Sequence, residues 1–274
     1  MTDLLTERTP RVAAARKLLR RAARVEAGRF LVEGVRPVHD VLDWADEGPS
    51  DHHRRVHDLF LTSAVADRHP ELERRADAAG IRVARVTDKA AAGLSDTVTP
   101  QGVVAVCATV AVDLATALAD APRLVTVLVG VADPGNAGTV VRTSDAAGAD
   151  AVVLAGDAVD PHNPKCVRAS MGSLFHVPVA AERDVEAVLD ALRARGLTLL
   201  AADGHGDTVL DAGADALLGA PTAWLFGSEA HGLDPAVAAA ADHRVRVPIH
   251  GRAESLNLAT AAAVCLYASA RVQR

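Results

Sequence analysis

"DPGNAGTVVRTSDAAG" spans residues 133–148 and follows directly on the apolar run "LVTVLVG" at 124–130. A continuous Val/Leu run closed by glycine has the composition of a strand buried on both faces, and the Ala-rich stretch beyond the turn has that of a helix. Strand, Gly-containing turn and helix in that order build a parallel α/β sheet, whose ligands gather outside the carboxyl ends of the strands. Yet this turn carries Asn136 and Arg142 in place of a phosphate-loop Lys or the three glycines of a dinucleotide fingerprint. Its polar residues need another use.

Working outward, the same alternation continues to the end of the chain. The pattern predicts a helix over 137–148, a strand at "AVVLAG" (151–156), helices near 164–171 and 183–195, strands at "LTLLAAD" (197–203), "TAWLFG" (222–227) and "HRVRVPI" (243–249), and a last helix from about 255 to 271. Upstream lies a smaller α/β unit. It reads as helix 10–22, strand "RFLVEG", helix 35–45, strand "DLFLT", helix 64–79, strand "IRVARV" and a final "GVVAVCATV", interrupted by the polar loop "ADEGPSDHHRR". The expected architecture is α/β with a smaller N-terminal domain over 1–108, a linker at 109–121 and a parallel-sheet domain over 122–274.

Two more strand ends carry unusual residues, "GSEAHGLDP" (227–235) after "TAWLF" and "PIHGRAESLNLAT" (248–260) after "HRVRV". Each residue has a purely structural use. Asn136 suits a helix N-cap, Arg142 a solvated helix face, Glu229 the positive end of a helix near Pro235, and Ser255 the cap of the last helix with Asn257 in its first turn. Ordinary caps, however, do not call for an Arg, a Glu and two Asn at neighbouring strand ends. Other nucleotide motifs fit poorly: "DGHGDTVLDAG" (203–213) lacks a third glycine at the dinucleotide spacing, no GxxxxGK[ST] is present, and "GSEAHG" lacks the frame of a serine-hydrolase elbow.

At these three stretches the sequence closely resembles the SpoU branch of the SPOUT RNA methyltransferases, the TrmH-type ribose 2′-O-methyltransferases. Their first motif, Asn-x-Gly with an Arg six residues after the Asn, matches Asn136, Gly138 and Arg142; their second matches "GSEAHGL"; their third, a Pro followed by Ser-Leu-Asn opening the last helix, matches "VPIHGRAESLNLATAAAVCLY". The resemblance covers about 120–272. The first unit resembles the L30e-like substrate-binding domain of ribosomal-RNA members, thiostrepton-resistance-type enzymes among them, through "RVAAARKLLRRAARVEAGRFLVEGVRPVHDVL" and "QGVVAVCA".

What the resemblance implies is methyl transfer from S-adenosylmethionine to a ribose 2′-hydroxyl of RNA, most naturally 23S rRNA, without a metal. A tRNA substrate, or a non-catalytic RNA-binding role in ribosome assembly, are the alternatives. Arg142 takes the family's place at the target hydroxyl and its phosphate. Because a guanidinium stays charged, it suits a phosphate clamp and a stabiliser of the developing alkoxide better than a base, which leaves the proton acceptor open. Asn136, Glu229, Ser255 and Asn257 hold Arg142 and the ribose. The cofactor maps to Gly227, Val247, Ile249, Leu256 and Leu258, with Leu225 and Phe226 as lesser candidates, in a deep C-terminal trefoil knot. A homodimer through the last helix and the first-motif helix is implied too. Ile249 stands where many members have Met, a conservative change in an apolar wall.

Charge distribution adds a direction. The chain of 274 residues carries a net −6, but residues 1–108 hold 17 Lys+Arg against 16 Asp+Glu, while 109–274 hold 12 against 19. Within 8–36 nine basic residues face two acidic ones, so RNA binding is expected there, at Arg16, Arg20, Arg21 and Arg24. Aromatics are only 3% of the chain, so its core rests on Ala, Val and Leu. Cys107, Cys166 and Cys265 lack any metal-ligand or disulfide spacing, and His52, His53 and His57 sit among charges with no matching ligand set. No apolar stretch approaches the roughly 20 residues of a membrane helix, and the N-terminus lacks the apolar core of a secretion signal. A cytoplasmic protein is expected.

Overall fold

The computed structural model describes residues 4–46 and 55–274, so His52 and His53 lie outside the described residues. Two compact units emerge. The first comprises the chain up to Thr109 together with His162–Phe175; the second comprises Val110–Pro161 and His176–Arg274.

The first unit is built on a sheet of four strands, β1 (Arg29–Glu33), β2 (Val56–Thr62), β3 (Arg82–Val86) and β4 (Val103–Ala108), in the order β1-β4-β2-β3. β4 runs antiparallel to both neighbours, and only β2 and β3 are parallel. The helix expected over 10–22 is two helices, Pro10–Lys17 and Arg21–Ala27. Arg24 explains the break: its guanidinium donates to the carbonyls of Leu18 and Leu19 at 3.0 Å each, satisfying acceptors that a continuous helix would have used. The segment His162–Phe175, which includes the helix Pro164–Ser170, packs into this unit through rings. Phe30 meets His162 at 4.7 Å and Phe175 at 6.2 Å, and Trp44 meets Phe175 at 5.2 Å. Gly172 (φ +95°) sits so close to Asp40 that a Cβ would stand 2.0 Å from the carboxylate.

The second unit is a seven-stranded sheet, β5 (Leu124–Val129), β6 (Ala151–Ala155), β7 (Val179–Glu182), β8 (Thr198–Ala202), β9 (Thr208–Val209), β10 (Thr222–Phe226) and β11 (His243–Arg246), in the order β7-β6-β5-β10-β8-β11-β9. All its pairings are parallel. The continuous apolar character of β5 and β6, rich in Val and Leu, and of β10, with Trp224, Leu225 and Phe226, follows from this, since every one of their side chains is buried. At about 1.5–3 kcal/mol for each fully buried aliphatic side chain, these strands supply much of the stability of the domain.

Two helices that bear on the site pack against each other, Pro134–Ala147 after β5 and Leu258–Gln273 at the end of the chain. The last helix is fixed to β10 by a buried hydrogen bond from Trp224 Nε1 to Ser269 Oγ (2.9 Å). The side-chain amide of Gln273 adds donations to the carbonyls of Leu218 and Ala220.

Candidate active site

Three strand ends meet at one edge of the second unit. After β5, Asp133 caps the helix Pro134–Ala147 by accepting from Asn136 N at 2.8 Å, with Pro134 at the first helical position. The cap is therefore Asp133 and not Asn136, which leaves the Asn136 side chain available. At the third strand end, Asn257 and not Ser255 caps the last helix, its Oδ1 accepting from Ala259 N (2.9 Å) and Thr260 N (3.3 Å). Glu229, in the turn after β10, serves no dipole near Pro235. Its carboxylate accepts from Asn136 Nδ2 at 3.0 Å and from the backbone N–H groups of Ala132 and Asp133 at 3.4 and 3.3 Å.

A fourth bond closes the chain, from Asn257 Nδ2 to Asn136 Oδ1 at 3.1 Å. Chemistry fixes the direction of every link. An ionised carboxylate only accepts, so the Asn136 amide must turn its NH₂ to Glu229 and its oxygen to Asn257; helix N–H groups only donate, so Asn257 must turn its oxygen to them. Neither amide can flip without placing donor against donor or acceptor against acceptor.

Partial burial pushes the Glu229 pKa up, but the hydrogen bonds from Asn136 and from the Ala132 and Asp133 backbone prevail and hold the carboxyl below its ordinary range. Glu229 is thus ionised at neutral pH. A depressed folded-state pKa contributes stability that is complete above the ordinary glutamate value of about 4.3 and is lost as pH falls through the lowered one. Glu229→Gln should accordingly melt below the parent protein at neutral pH, with the gap closing on acidification; a gap that widens instead would contradict the network.

These turns border a cavity of about 930 Å³, within the size range of a cofactor-sized pocket. Gly227, Val247, Ile249, Leu256 and Leu258 line it, as do Asn136, Glu229, Ser255 and Asn257. Gly227 is required there by close approach. A Cβ on it would lie 2.0 Å from the Gly232 carbonyl carbon and 2.1 Å from Leu233 N, because the turn folds back through paired Ser228–Gly232 backbone hydrogen bonds of 2.9 Å.

Not every expected residue is there. Leu225 points into the apolar core beneath the sheet, among Val127, Val153 and Leu199, so it is Phe226, its neighbour, that reaches the cavity. Arg142 is absent from the lining. It stands on the exposed side of its helix, and its side chain makes no hydrogen bond or ion pair among the described residues. In the first unit Arg16, Arg20 and Arg21 are exposed, whereas Arg24 is only 3% exposed and engaged with the Leu18 and Leu19 carbonyls, so it is a structural residue and offers no RNA contact.

Sequence reasoning missed the loop after β8. Asp203 lines the cavity, accepts from Arg244 Nε (2.9 Å) and Nη2 (2.7 Å) and from His205 N (2.8 Å), and is held below the usual range by those donors against the opposing effect of burial. The signal was its place at the end of "LTLLAAD", a fourth strand end on the same edge.

The pocket suits S-adenosylmethionine on the chemistry of its lining: apolar Phe226, Val245, Val247, Ile249 and Leu258 for an adenine face, with Asp203, Glu229 and Glu254 for a cationic ligand. Comparison with known proteins agrees. Residues 123–267 match the model of the SpoU rRNA Methylase family, and residues 9–105 match that of the MRM3-like substrate binding domain. The chain belongs to the SpoU rRNA methylase family. It is a ribose 2′-O-methyltransferase of RNA that uses S-adenosylmethionine. Among relatives of this SpoU chain, the Bacillus subtilis 23S rRNA (guanosine(2553)-2′-O)-methyltransferase RlmP is 34% identical, covering 97% of this chain and 98% of that one. Among solved structures, the AdoMet-bound rRNA methyltransferase from Sinorhizobium meliloti superposes with a TM-score of 0.80 at 29% identity, covering 99% of this chain and 97% of that one. The SpoU methyltransferase AviRb from Streptomyces viridochromogenes, in complex with AdoMet, gives a TM-score of 0.80 at 30% identity, covering 96% and 98%.

Proposed function

We propose that the protein methylates a ribose 2′-hydroxyl of 23S rRNA, the activity by which its full-length relative RlmP is named, and that its site is completed across a homodimer. The observation that carries the reading is the hydrogen-bonded chain Glu229–Asn136–Asn257 at the mouth of the cavity. S-adenosylmethionine, when bound, supplies an activated methyl group on a sulfonium. The task left to the chain's own residues is to hold the ribose in line and favour loss of its proton.

Asn136, held by its neighbours in one orientation, keeps the rim of the site rigid, and Ser255 offers an exposed hydroxyl beside it. Glu229, ionised and surrounded by donors, orients Asn136 and takes no proton. Arg142 grips the phosphate next to the target ribose and stabilises the developing alkoxide. Its position supports a shared site. With Thr139 and Ala146 it forms an exposed face on the helix Pro134–Ala147, and the adjoining last helix exposes Val264 (40%) and Tyr267 (53%) in line. A second copy seated on that face buries the apolar stripe and carries Arg142 to the partner's pocket. The family's trefoil knot, the cofactor's cradle, belongs to the same reading. So does a cytoplasmic location, with Cys107, Cys166 and Cys265 buried and outside any disulfide; among the described residues no helix is long and apolar enough to cross a membrane.

Calorimetry with S-adenosylmethionine, followed by tritiated methyl transfer to 23S rRNA and mapping of the modified ribose, tests the proposal. Binding without transfer to any rRNA, or transfer to tRNA instead, would reject it. RNA affinity is assigned to the first unit. Replacing Arg16, Arg20 and Arg21 together by Ala should lower affinity and flatten its dependence on salt by roughly 0.7–0.9 for each phosphate left without its cation. An unchanged salt slope would place the RNA elsewhere.

A further inference from the structure

Cations hold RNA without reading it, because phosphate contacts carry no base information. Beside the Arg16 cluster stands a loop of different character, "SDTVTPQ" at 95–101, which joins the helix Asp88–Ala92 to β4. Glu33, buried at the end of β1, fastens both ends of it: its carboxylate accepts from Ser95 Oγ at 2.7 Å and from Gln101 N at 3.1 Å. Ser95 Oγ in turn accepts from Thr97 N at 3.0 Å, and Asp96 pairs with the Arg168 guanidinium. The Gln101 side chain lies on Gly34 (φ +109°), where a Cβ would stand 3.1 Å from its Oε1.

A loop fastened this thoroughly still turns its apolar tip outward. Val98 is fully exposed, at 101%, with Thr99 exposed beside it. One exposed valine alone signifies little. Its surroundings give it meaning. The Arg16 side chain passes Gly93, two residues before the loop, with its Cδ at 3.7 Å from a Cβ built there. Arg36, exposed, follows Glu33 and Gly34 at the start of the helix Val35–Asp46, and Asp40, one turn further on, receives Gly172. Next to Gly172 is Met171, in the left-handed region (φ +50°) and 42% exposed, its N–H donating to the carbonyl of the same Arg168 that pairs with Asp96. Val98 and Met171 are thus two exposed apolar side chains tied to each other through Asp96 and Arg168, while Arg16 touches Gly93 ahead of the loop and Arg36 stands two residues beyond Gly34, on which the loop's last residue, Gln101, lies.

We propose that the Ser95–Gln101 loop is the base-contacting element of the first unit, packing Val98 and Met171 against a nucleobase unstacked from a single-stranded segment of 23S rRNA while Arg16 and Arg36 hold the flanking phosphates. Single-stranded RNA offers splayed bases, and every base has an apolar face. Pinning by Glu33 means that the loop is ordered before the RNA arrives, so binding loses little further freedom. The inference rests on the RNA-methylating reading of the second unit.

The test is filter binding of an in vitro 23S rRNA transcript across a salt series, with methyl transfer by the unaltered protein measured in the same preparation. Val98→Ser should raise Kd about tenfold with an unchanged salt slope, because an apolar contact releases no counterions. Val98→Leu should restore affinity, and Arg36→Ala should reduce the slope by roughly one. Val98→Ser that binds as tightly as the parent, while the parent binds and methylates, overturns the loop assignment alone. A parent protein that neither binds nor methylates the transcript overturns the RNA reading and the loop with it.

Discussion

Arg142→Ala should lower methyl transfer a hundredfold or more, in the range found when a preorganised donor to a developing oxyanion is removed, and leave the affinity for S-adenosylmethionine unchanged. Arg142 lines no part of its own chain's cofactor cavity, and its side chain makes no hydrogen bond or ion pair among the described residues, so its loss leaves that cavity's lining intact. Full activity in the variant would end the proposed role. Mixing tests the shared site. A chain carrying Arg142→Ala retains a pocket, and one carrying Gly227→Ala retains Arg142. If the guanidinium serves the partner, the mixed dimer regains one working site and transfers methyl where neither parent does. Mixtures as inactive as both parents would show that Arg142 acts within its own chain.

Gly227→Ala has the second large expected effect, and it acts on the cofactor. The added carbon meets backbone at 2.0–2.2 Å, where no side chain can swing away, so the turn 227–232 must open. Opening it displaces Glu229, two residues on, and with it the network to Asn136 and Asn257. S-adenosylmethionine binding should fall below calorimetric detection while β10, upstream of the turn, keeps its pairing with β5 and β8 and the domain stays folded by circular dichroism. Retained binding at parental affinity would mean that the turn is not part of the cofactor's cradle.

Much of the second unit is legible in the residues alone because its central strands are buried on both faces. The Val/Leu runs of β5 and β6 and the apolar "TAWLF" of β10 state that burial directly, and the turns after β5, β10 and β11 stand out through polar residues no core needs. Short edge pieces are illegible for the opposite reason. β7, "VAAE", and the two-residue β9 have neither length nor periodicity, and only their partners make them strands. The residues at the cavity can be picked out, but their wiring cannot. Asn136, Ser255 and Asn257 all have the chemistry of a cap, and which one caps is decided by Asp133 and by the start of the last helix. Arg24 reads as an RNA contact because its neighbours are exposed arginines; the broken helix that buries it leaves no trace in composition. Asp203 is obscured by its following glycines, which invite comparison with a dinucleotide motif they do not satisfy.

The Glu229–Asn136–Asn257 chain also bears on when the protein becomes competent. Its links span 93 and 121 residues of sequence, and the last of them belongs to the cap of the C-terminal helix. A chain emerging from the ribosome in order completes the four strands of its first unit and five strands of the second sheet before residue 222 appears. Asn257 and the helix behind it come later still. Until they dock, Glu229 alone orients the Asn136 amide, and its oxygen lacks the bond from Asn257 that completes the rim. A chain without the helix Leu258–Gln273 and its Asn257 cap therefore keeps the Glu229–Asn136 link but lacks the bond that completes the rim of the site.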